Sequence, residues 1–591
     1  MTLAGFGKKL ATLGEHRRHR HAVHVSGDAD SSLRAALELG SEIRHGHRIL
    51  YGESHPTAAS LGFITLNNKK AARQYLGGEL GCVVIDGHKL FDPDAIGILS
   101  GCIRSGGMMI FVTPPLSEWP GTETLLLDTK GTPSAYLSRI AGILGSCQQL
   151  VRVSAEGLIE SCLPEIVSSS MLEIDYSEQK AAIRALKAIN IHPPTGTVVL
   201  ESDRGRGKSA ALGIVARELV QEKGYRIGVT GHGRRSTETL LAHASRDSGE
   251  VVEKIRYYSP DLLIETKQDI DLLLVDEAAT LPLSILKKLL GMYPHIAFAT
   301  TIHGYEGTGK GFSVKFHEIL NQQKPAWRLI KLEQPIRWGR NDPLEALINR
   351  LLLLDAEPAS GFGQEPVTST SFLEYDPVRL IGDEERLCSL YAILARAHYR
   401  TAPSDLMRIL DGGDLRMFGL EDQNRNILSV ALIAVEGELP QELVEQVTVN
   451  QRRPKNHLLP VALCTQLGFC KALTMRVARI IRIAVNPNVA GRSHGKQLMS
   501  RIIRHLEAGF DLIGASFGLD SPLHEFWIDS GFSLVRIGVR KNRSTGTHSG
   551  LVIRGLSGQG KKLATDAANR FSVVAQFEKY CKNRICNAIL I

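Results

Sequence analysis

No stretch of this chain approaches ~20 consecutive apolar residues, so none reads as a membrane-spanning helix. The opening "MTLAGFGKKLATLGEHRRHR" also lacks the apolar core of a secretory signal. Together these absences predict a cytoplasmic chain with no membrane partner. Cysteine is sparse and scattered. Its nine copies include no CxxC pair and no metal-ligand spacing, and Cys581 and Cys586 are the closest two. That pattern predicts reduced thiols and excludes a disulfide scaffold or a zinc finger. There is no internal repeat. A strong charge bias is missing too: 70 Lys and Arg stand against 62 Asp and Glu, a net of +8. Such a surplus allows a polyanionic partner without requiring one. It concentrates in "EHRRHRHAVH" near the start and "RKNRSTGTHSGLVIRGLSGQGKK" near the end. Each stretch is either a nucleic-acid contact or a solvated basic surface.

With 591 residues the chain is too long for one core, and three or four domains are expected. Its 43% hydrophobic and 22% charged residues are ordinary for a globular α/β multidomain protein. Residues 1–164 read as an N-terminal α/β domain. There "CVVIDG" (82–87) and "GMMIFVTPP" (107–115) are buried parallel strands flanking a helix in "DPDAIGILSGCIRSGG". Asp86 and Asp92 in this region fit strand-end and capping polarity better than a catalytic site. Residues 165–350 open with an amphipathic helix, "DYSEQKAAIRALKAI". Strands at 197–200, 227–230, 272–275 and 296–301 follow, the pattern of a doubly wound parallel sheet. A linker at about 350–370 leads to a third α/β region, 371–540. A short basic tail, 541–591, ends in a helical pattern and is the expected RNA-binding element.

The second region carries a Walker A-like loop after its first strand: Ser202-Asp203-Arg204-Gly205-Arg206-Gly207-Lys208-Ser209. Ser202 stands where the motif has its first glycine. Gly205 and Gly207 still let backbone N–H groups approach phosphate oxygens, together with Arg204, Arg206 and Ala210 of the same loop and helix start. Lys208 would reach the β and γ phosphates, and Ser209 would ligate Mg²⁺. Downstream, "DLLLVDEAATLPL" is an apolar strand ending in Asp276-Glu277. Asp276 would hold Mg²⁺ and Glu277 would polarise the attacking water. Gln179 lies on the leading helix, where superfamily 1 helicases and their relatives place a Gln that reads adenine. Arg337, in "QPIRWGRNDP", is either a sensor of the γ phosphate or a structural ion-pair residue.

A different phosphate loop lies in "IRIAVNPNVAGRSHGKQLMSRII". It resembles motif A of the GNAT acetyltransferases, [RQ]-x-x-G-x-[GA], as Arg492-Ser493-His494-Gly495-Lys496-Gln497, with Gln497 in the last position. The amides of Ala490, Gly491, Arg492, Ser493, His494, Gly495 and Lys496 can wrap a pyrophosphate at a helix N-terminus. Ile483, Ala484 and Val485 would offer a strand edge to the pantetheine amides of acetyl-CoA. "ASFGL" and "SPLHEFWIDSGFSLVRIG" supply the later strand, helix and strand of that fold.

A Walker ATPase followed by a GNAT domain, together with "RGRGKSAALG", "LLVDEAATLPLSIL", "QPIRWGRNDPLE", "AHYRTAPSDLMRILD" and "RRPKNHLLPVAL", resembles the bacterial tRNA(Met) cytidine acetyltransferases. The resemblance spans about residues 20–540. It implies a P-loop helicase-like ATPase domain fused to a GNAT acetyltransferase domain. The implied reaction moves acetyl from acetyl-CoA to the wobble cytidine of elongator tRNA(Met), with ATP or GTP, Mg²⁺ and coupled hydrolysis. No stable protein partner is implied. His398, with Tyr399 and Arg400 beside it, is the expected acid/base group, since His titrates in the right range and Tyr can stack or donate. His457 and His524 are weaker candidates. Two other readings use the same loops: an RNA or DNA helicase motor, and a protein-lysine acetyltransferase with a regulatory nucleotide site. No second helicase lobe is recognisable, which opposes the first; the family blocks and basic stretches oppose the second.

Overall fold

The computed structural model describes residues 2–43, 45–122, 133–160, 173–190, 196–246, 253–302, 310–359, 367, 369–397, 401–542 and 547–588. The chain folds as two compact units, residues 1–356 with 399–411, and residues 357–398 with 412–591. Among the described residues no helix is long and apolar enough to cross a membrane.

The first unit holds two parallel sheets. One comprises β1 (His21–Ser26), β2 (His47–Tyr51), β3 (Phe63–Leu66), β4 (Leu80–Asp86), β5 (Ile103–Thr113) and β6 (Val151–Ser154) in the order β3-β2-β4-β5-β1-β6. The two expected strands appear as β4 and β5. The helix between them is shorter than its sequence pattern, Pro93–Ser100, because β5 already begins at Ile103. Asp92 caps that helix, accepting from the N–H groups of Asp94 and Ala95, and also takes the Tyr51 hydroxyl at 2.8 Å. Asp86 accepts the His88 N–H at the strand end. The helix Pro403–Asp411 belongs to this unit, although its sequence lies inside the region expected to form the third domain. Polar contacts hold it there: Ser404 donates through N–H and hydroxyl to Asp94, and Asp411 accepts from Ser134 Oγ and Tyr136 N–H.

The other sheet comprises β7 (Thr197–Ser202), β8 (Ile227–Thr230), β9 (Ile255–Tyr257), β10 (Leu272–Val275), β11 (Ile296–Thr301) and β12 (Arg328–Leu332) in the order β12-β7-β11-β10-β8-β9. Its four central strands are those read from the sequence. In β10, Leu272 and Leu274 pack into the core on one face, Leu273 and Val275 into the core on the other. Burial on both faces is why this strand is a continuous apolar run rather than an alternating one. The two edge strands, β9 and β12, are short or largely exposed and carry no such run.

The second unit has one mixed sheet of β13 (Thr370–Tyr375), β14 (Leu415–Asp422), β15 (Ile427–Gly437), β16 (Arg476–Val485), β17 (Leu512–Gly518), β18 (Ser533–Lys541) and β19 (His548–Gly555), ordered β13-β14-β15-β16-β17-β19-β18. Among the described residues only β16 and β17 run parallel in it. The sheet continues past residue 540, where the sequence reading began a tail. β19 enters between β17 and β18, burying Leu551, Val552 and Ile553, before the helix Gly558–Ala588. Its basic, Gly- and Ser-rich surroundings conceal this strand in the sequence.

The expectation of reduced cysteines throughout needs correction, because Cys464 and Cys470 are joined in a disulfide. The helix Leu458–Leu467 stops at Gly468, whose φ of 77° turns the chain so that the short Cys470–Leu473 turn faces back on it. A left-handed helix cap therefore makes the pairing, and no CxxC-type spacing announces it. Alkylation of the folded protein without reductant is expected to label the half-buried Cys147 and Cys388 and to spare Cys464 and Cys470; peptide mass mapping reads the result.

Candidate active sites

The loop after β7 and the ends of β10 and β11 meet in the first unit. Ser202, the departure from the glycine motif, is the last residue of β7 and pairs with Thr301 in extended conformation, so a side chain is tolerated there. The two glycines have left-handed φ, 75° at Gly205 and 86° at Gly207. Gly207 then caps the helix Lys208–Lys223, whose first N–H groups have no intrahelical acceptor. Lys208 is buried. Its ammonium donates to Ser202 O (3.2 Å), Ser202 Oγ (3.1 Å) and Asp203 O (3.0 Å). Burial lowers its pKa, against the pull of Glu277 and Asp276.

Ser209 Oγ donates to Asp276 Oδ1 at 3.1 Å. The other carboxylate oxygen, Asp276 Oδ2, is buried with no hydrogen-bond partner. A hydroxyl and an unsatisfied carboxylate oxygen at the mouth of a phosphate loop fit a nucleotide-bound Mg²⁺. Among the described residues no group of three or more His, Cys, Asp or Glu could hold a metal alone. Remaining ligands would come from nucleotide and water. Glu277 takes a left-handed φ of 48°, and Thr301 Oγ1 donates to its carboxylate at 3.1 Å. Thr301 was missed in the sequence: only the adjacency of β10 and β11 brings it to Glu277.

Gln179 is buried, donating Nε2 to Arg206 O and Gln334 O at 3.2 Å each, while its Oε1 has no partner. Arg337 reaches the loop through its backbone N–H, which donates to Gly205 O at 3.1 Å. Its guanidinium donates instead to Gly101 O at 3.0 Å, and burial lowers its pKa. Arg206 likewise spends its side chain on Arg204 O (2.8 Å) and Glu345 Oε1 (2.6 Å). Ala210, half-buried, lies in the first turn of the helix.

In the second unit, β16 and β17 pair from Val477↔Leu512 to Ile480↔Ala515 and no further. β15 continues along the opposite edge of β16 to Ser429↔Val485, with an irregularity that leaves Ile481 as an extra residue. From Ile481 to Val485, therefore, no described strand covers the β17-facing edge. Ile483, Ala484 and Val485 lie on this open edge. The buried Asn486 then anchors the turn, donating Nδ2 to Ile427 O and accepting the Asn488 N–H. Ala490 to Ser493 are exposed, with φ of 80° at Gly491 and 59° at Ser493. A side chain at Gly491 would meet only open space. The helix His494–Leu506 follows, its first N–H groups at the end of this exposed loop. The His494 ring is buried with neither nitrogen bonded. Gly495 packs closely: a Cβ there would lie 3.3 Å from Val485. Lys496 pairs with Asp529 at 2.7 Å.

His398, Tyr399 and Arg400 lie outside the described residues. His457 accepts the Gly437 N–H at 3.0 Å. The buried carboxylates Glu421 and Glu436 are taken by Tyr375 and Arg386, and by Leu459 N–H and Arg479.

Family models match ranges that contain these two sites. Residues 2–155 match the N-terminal domain of tRNA(Met) cytidine acetyltransferase TmcA, and 199–355 the helicase domain of RNA cytidine acetyltransferase NAT10/TcmA. Residues 389–510 and 507–557 match GNAT acetyltransferase 2. The tRNA(Met) cytidine acetyltransferase TmcA of Nitrosococcus halophilus is 35% identical, over 94% of this chain and 78% of that one. The chain belongs to this family. TmcA proteins of Vibrio cholerae and Haloferax volcanii are 32% and 31% identical, over 93% of this chain in each case and 75% and 78% of theirs. Solved structures that align to 32% of the chain include a Drosophila melanogaster polyamine N-acetyltransferase (14% identity, 100% of that chain, TM-score 0.23). A mosquito arylalkylamine N-acetyltransferase aligns similarly (15%, 100%, TM-score 0.23).

The Asp276 carboxyl generates a pH prediction. Burial, then the neighbouring Glu277 charge, raises its pKa from 3.8 to about 7. The folded state thus holds the proton more tightly than the unfolded chain does. This stabilisation is complete below about pH 3.8 and is lost as pH rises through about 7. Asp276→Asn is expected to melt higher than the parent at about pH 8, with the gap narrowing as pH falls and closing only near the unfolded value of about 3.8. Mg·ATP binding needs the ionised carboxylate, so its affinity is expected to fall between about pH 8 and pH 6. Melting curves and titrations at the two ends check both.

Proposed function

We infer that the chain transfers acetyl from acetyl-CoA to the exocyclic amine of a cytidine, the wobble position of elongator tRNA(Met), and couples the transfer to ATP hydrolysis. The observation that carries this reading is the presence of both cradles in one chain of this family: Lys208, Ser209 and Asp276 in the first unit, and the β16 edge with the Gly491–Lys496 loop in the second.

The amine of cytidine is conjugated with its ring and weakly nucleophilic. A thioester is already activated, so phosphate chemistry is not needed on the acetyl group. The open edge of β16 would hold the pantetheine arm and orient the thioester, while the loop amides would fix the pyrophosphate. The amine attacks the carbonyl carbon, the C–S bond breaks, and the proton lost from nitrogen ends on the departing thiolate. The base must first leave the anticodon-loop stack, which costs about a few kcal/mol. Hydrolysis in the helicase-like domain is a suitable source for that remodelling. There Lys208 would bind the β and γ phosphates, Ser209 and Asp276 would hold Mg²⁺, and Glu277, oriented by Thr301, would position the attacking water. Bound Mg²⁺ would supply charge neutralisation across the phosphates. Gln179 Oε1 is the free acceptor for a base amine.

Incubation with labelled acetyl-CoA and total tRNA, with and without ATP, tests the reading. Label in one tRNA species, increased by ATP, is expected. Label confined to protein would favour the lysine acetyltransferase, and ATP turnover without label the motor. Lys208→Ala is expected to abolish hydrolysis and cut tRNA acetylation roughly tenfold or more. Gly491→Val forces a branched side chain into a left-handed φ and is expected to raise the KM for acetyl-CoA by about tenfold with ATP hydrolysis unchanged.

A further inference from the structure

Behind the phosphate loop lies a buried charged network to which the reaction above assigns no task. Arg20, just before β1 in the first sheet, is bound by Asp342, the N-cap of the helix Pro343–Leu352. Its backbone N–H donates to Asp342 Oδ2 at 2.6 Å, and its Nε and Nη2 donate to Oδ1 at 3.1 and 2.9 Å. Arg20 Nη1 donates to Ser100 O at 2.7 Å. The guanidinium carbon stands 3.3 Å from the centre of the Trp338 ring. Arg20, Asp342 and Trp338 are each about 2% exposed.

Trp338 is in turn the wall of the phosphate loop. A Cβ on Gly205 would lie 2.8 Å from the indole ring, so the ring packs directly on that backbone. The indole N–H donates to Glu345 Oε2 at 3.0 Å, and Glu345 Oε1 accepts from Arg206 at 2.6 Å. Gly205 O accepts the N–H groups of Ile336 (2.8 Å) and Arg337 (3.1 Å) from the same segment. The loop is thus held from behind at two successive residues, Gly205 by ring and backbone and Arg206 by a carboxylate. These ties all lead to the segment that Arg20 clamps, while Arg206 O also accepts from Gln179. Phosphate binding and in-line attack need loop amides placed to within a fraction of an ångström.

We propose that Arg20 of the first sheet is a positioning residue for nucleotide hydrolysis, fixing Trp338 and Asp342 so that they hold Gly205 and Arg206 in the phosphate-binding conformation. The proposal rests on the nucleotide-site reading above. It makes the N-terminal domain part of the ATPase, although that domain supplies none of the residues assigned above to the nucleotide.

The test uses the full chain. Losing Arg20 alone would bury an unpaired Asp342, so the variant of choice is the double change Arg20→Met with Asp342→Asn, which removes both charges and keeps bulk. We expect it to fold, with a melting transition close to the parent's, and to show a KM for ATP raised roughly tenfold or more, against a smaller change in kcat. Arg20→Lys keeps the charge but not the stacked plane and is expected to fall between. Nucleotide is expected to change tryptophan emission in the parent, and Trp338→Phe to abolish that change. If the double variant does not fold, Glu345→Gln loosens Arg206 from the other end and is expected to raise the KM alike. A folded variant with parental KM and kcat would overturn the proposal, as would an emission change that persists in Trp338→Phe. Failure of the nucleotide site itself would look different: no hydrolysis by the parent, or hydrolysis by Lys208→Ala equal to the parent's.

Discussion

A phosphate taken out of water needs converging donors, and backbone N–H groups converge where the chain turns left-handed just before a helix. Both cradles in this chain obey that constraint. Gly205 and Gly207 carry it before the helix at Lys208, Gly491 and Ser493 before the helix at His494. Everything else about the sites follows from delivering such a turn on a rigid strand. β7 is paired on both sides, by β11 and β12, and β16 is paired by β15 to its last residue. The turns therefore begin from fixed points.

The first cradle adds a second constraint, because its charges are buried. Lys208, Asp276 and Glu277 lie close enough that each shifts another's ionisation, and Lys208 spends its protons on the loop's own carbonyls. A pocket with a carboxylate whose ionisation is disfavoured by burial and an orphaned oxygen is poorly satisfied by protein alone. Its electrostatics are completed by a cation and a polyphosphate together, which explains why the Ser209 hydroxyl, the Asp276 oxygen and the helix start converge on one point.

What could be read in the sequence was whatever is local. The central strands of the second sheet, both loops, and the Asp276-Glu277 step are contiguous signals, and they were legible as such. The missing parts depend on chain segments far apart. Arg20 and Asp342 meet across two domains, Thr301 reaches Glu277 only because β11 lies beside β10, and Pro403–Asp411 returns to the first unit by capping-type polar contacts. β12 and β19 escaped for a different reason. One is an exposed edge, and the other is buried but set among basic and small residues that resemble a tail. Arg206 and Arg337 show the limit of motif reading: one stands in the phosphate loop and the other in a sensor-like segment, yet their side chains are held by Glu345 and by Gly101 O.

The second cradle also shows why one parallel pair in an otherwise antiparallel sheet matters. β16 and β17 share four paired positions, and beyond Ile480 they share none. The extra residue at Ile481 lies at the position where that pairing ends, and a bulge increases local twist. Added twist there would turn the end of β16 away from β17, while β15 keeps it in the sheet. The same strand then runs through Asn486 into the anion loop. Edge and loop are consecutive segments of one strand, so the distance between a bound pyrophosphate and a bound thioester is set by a few residues of extended backbone. A substitution that relaxed the bulge would let residues 481–483 pair with the last three residues of β17, 516–518, and close that part of the edge, while leaving the loop's own left-handed turn intact.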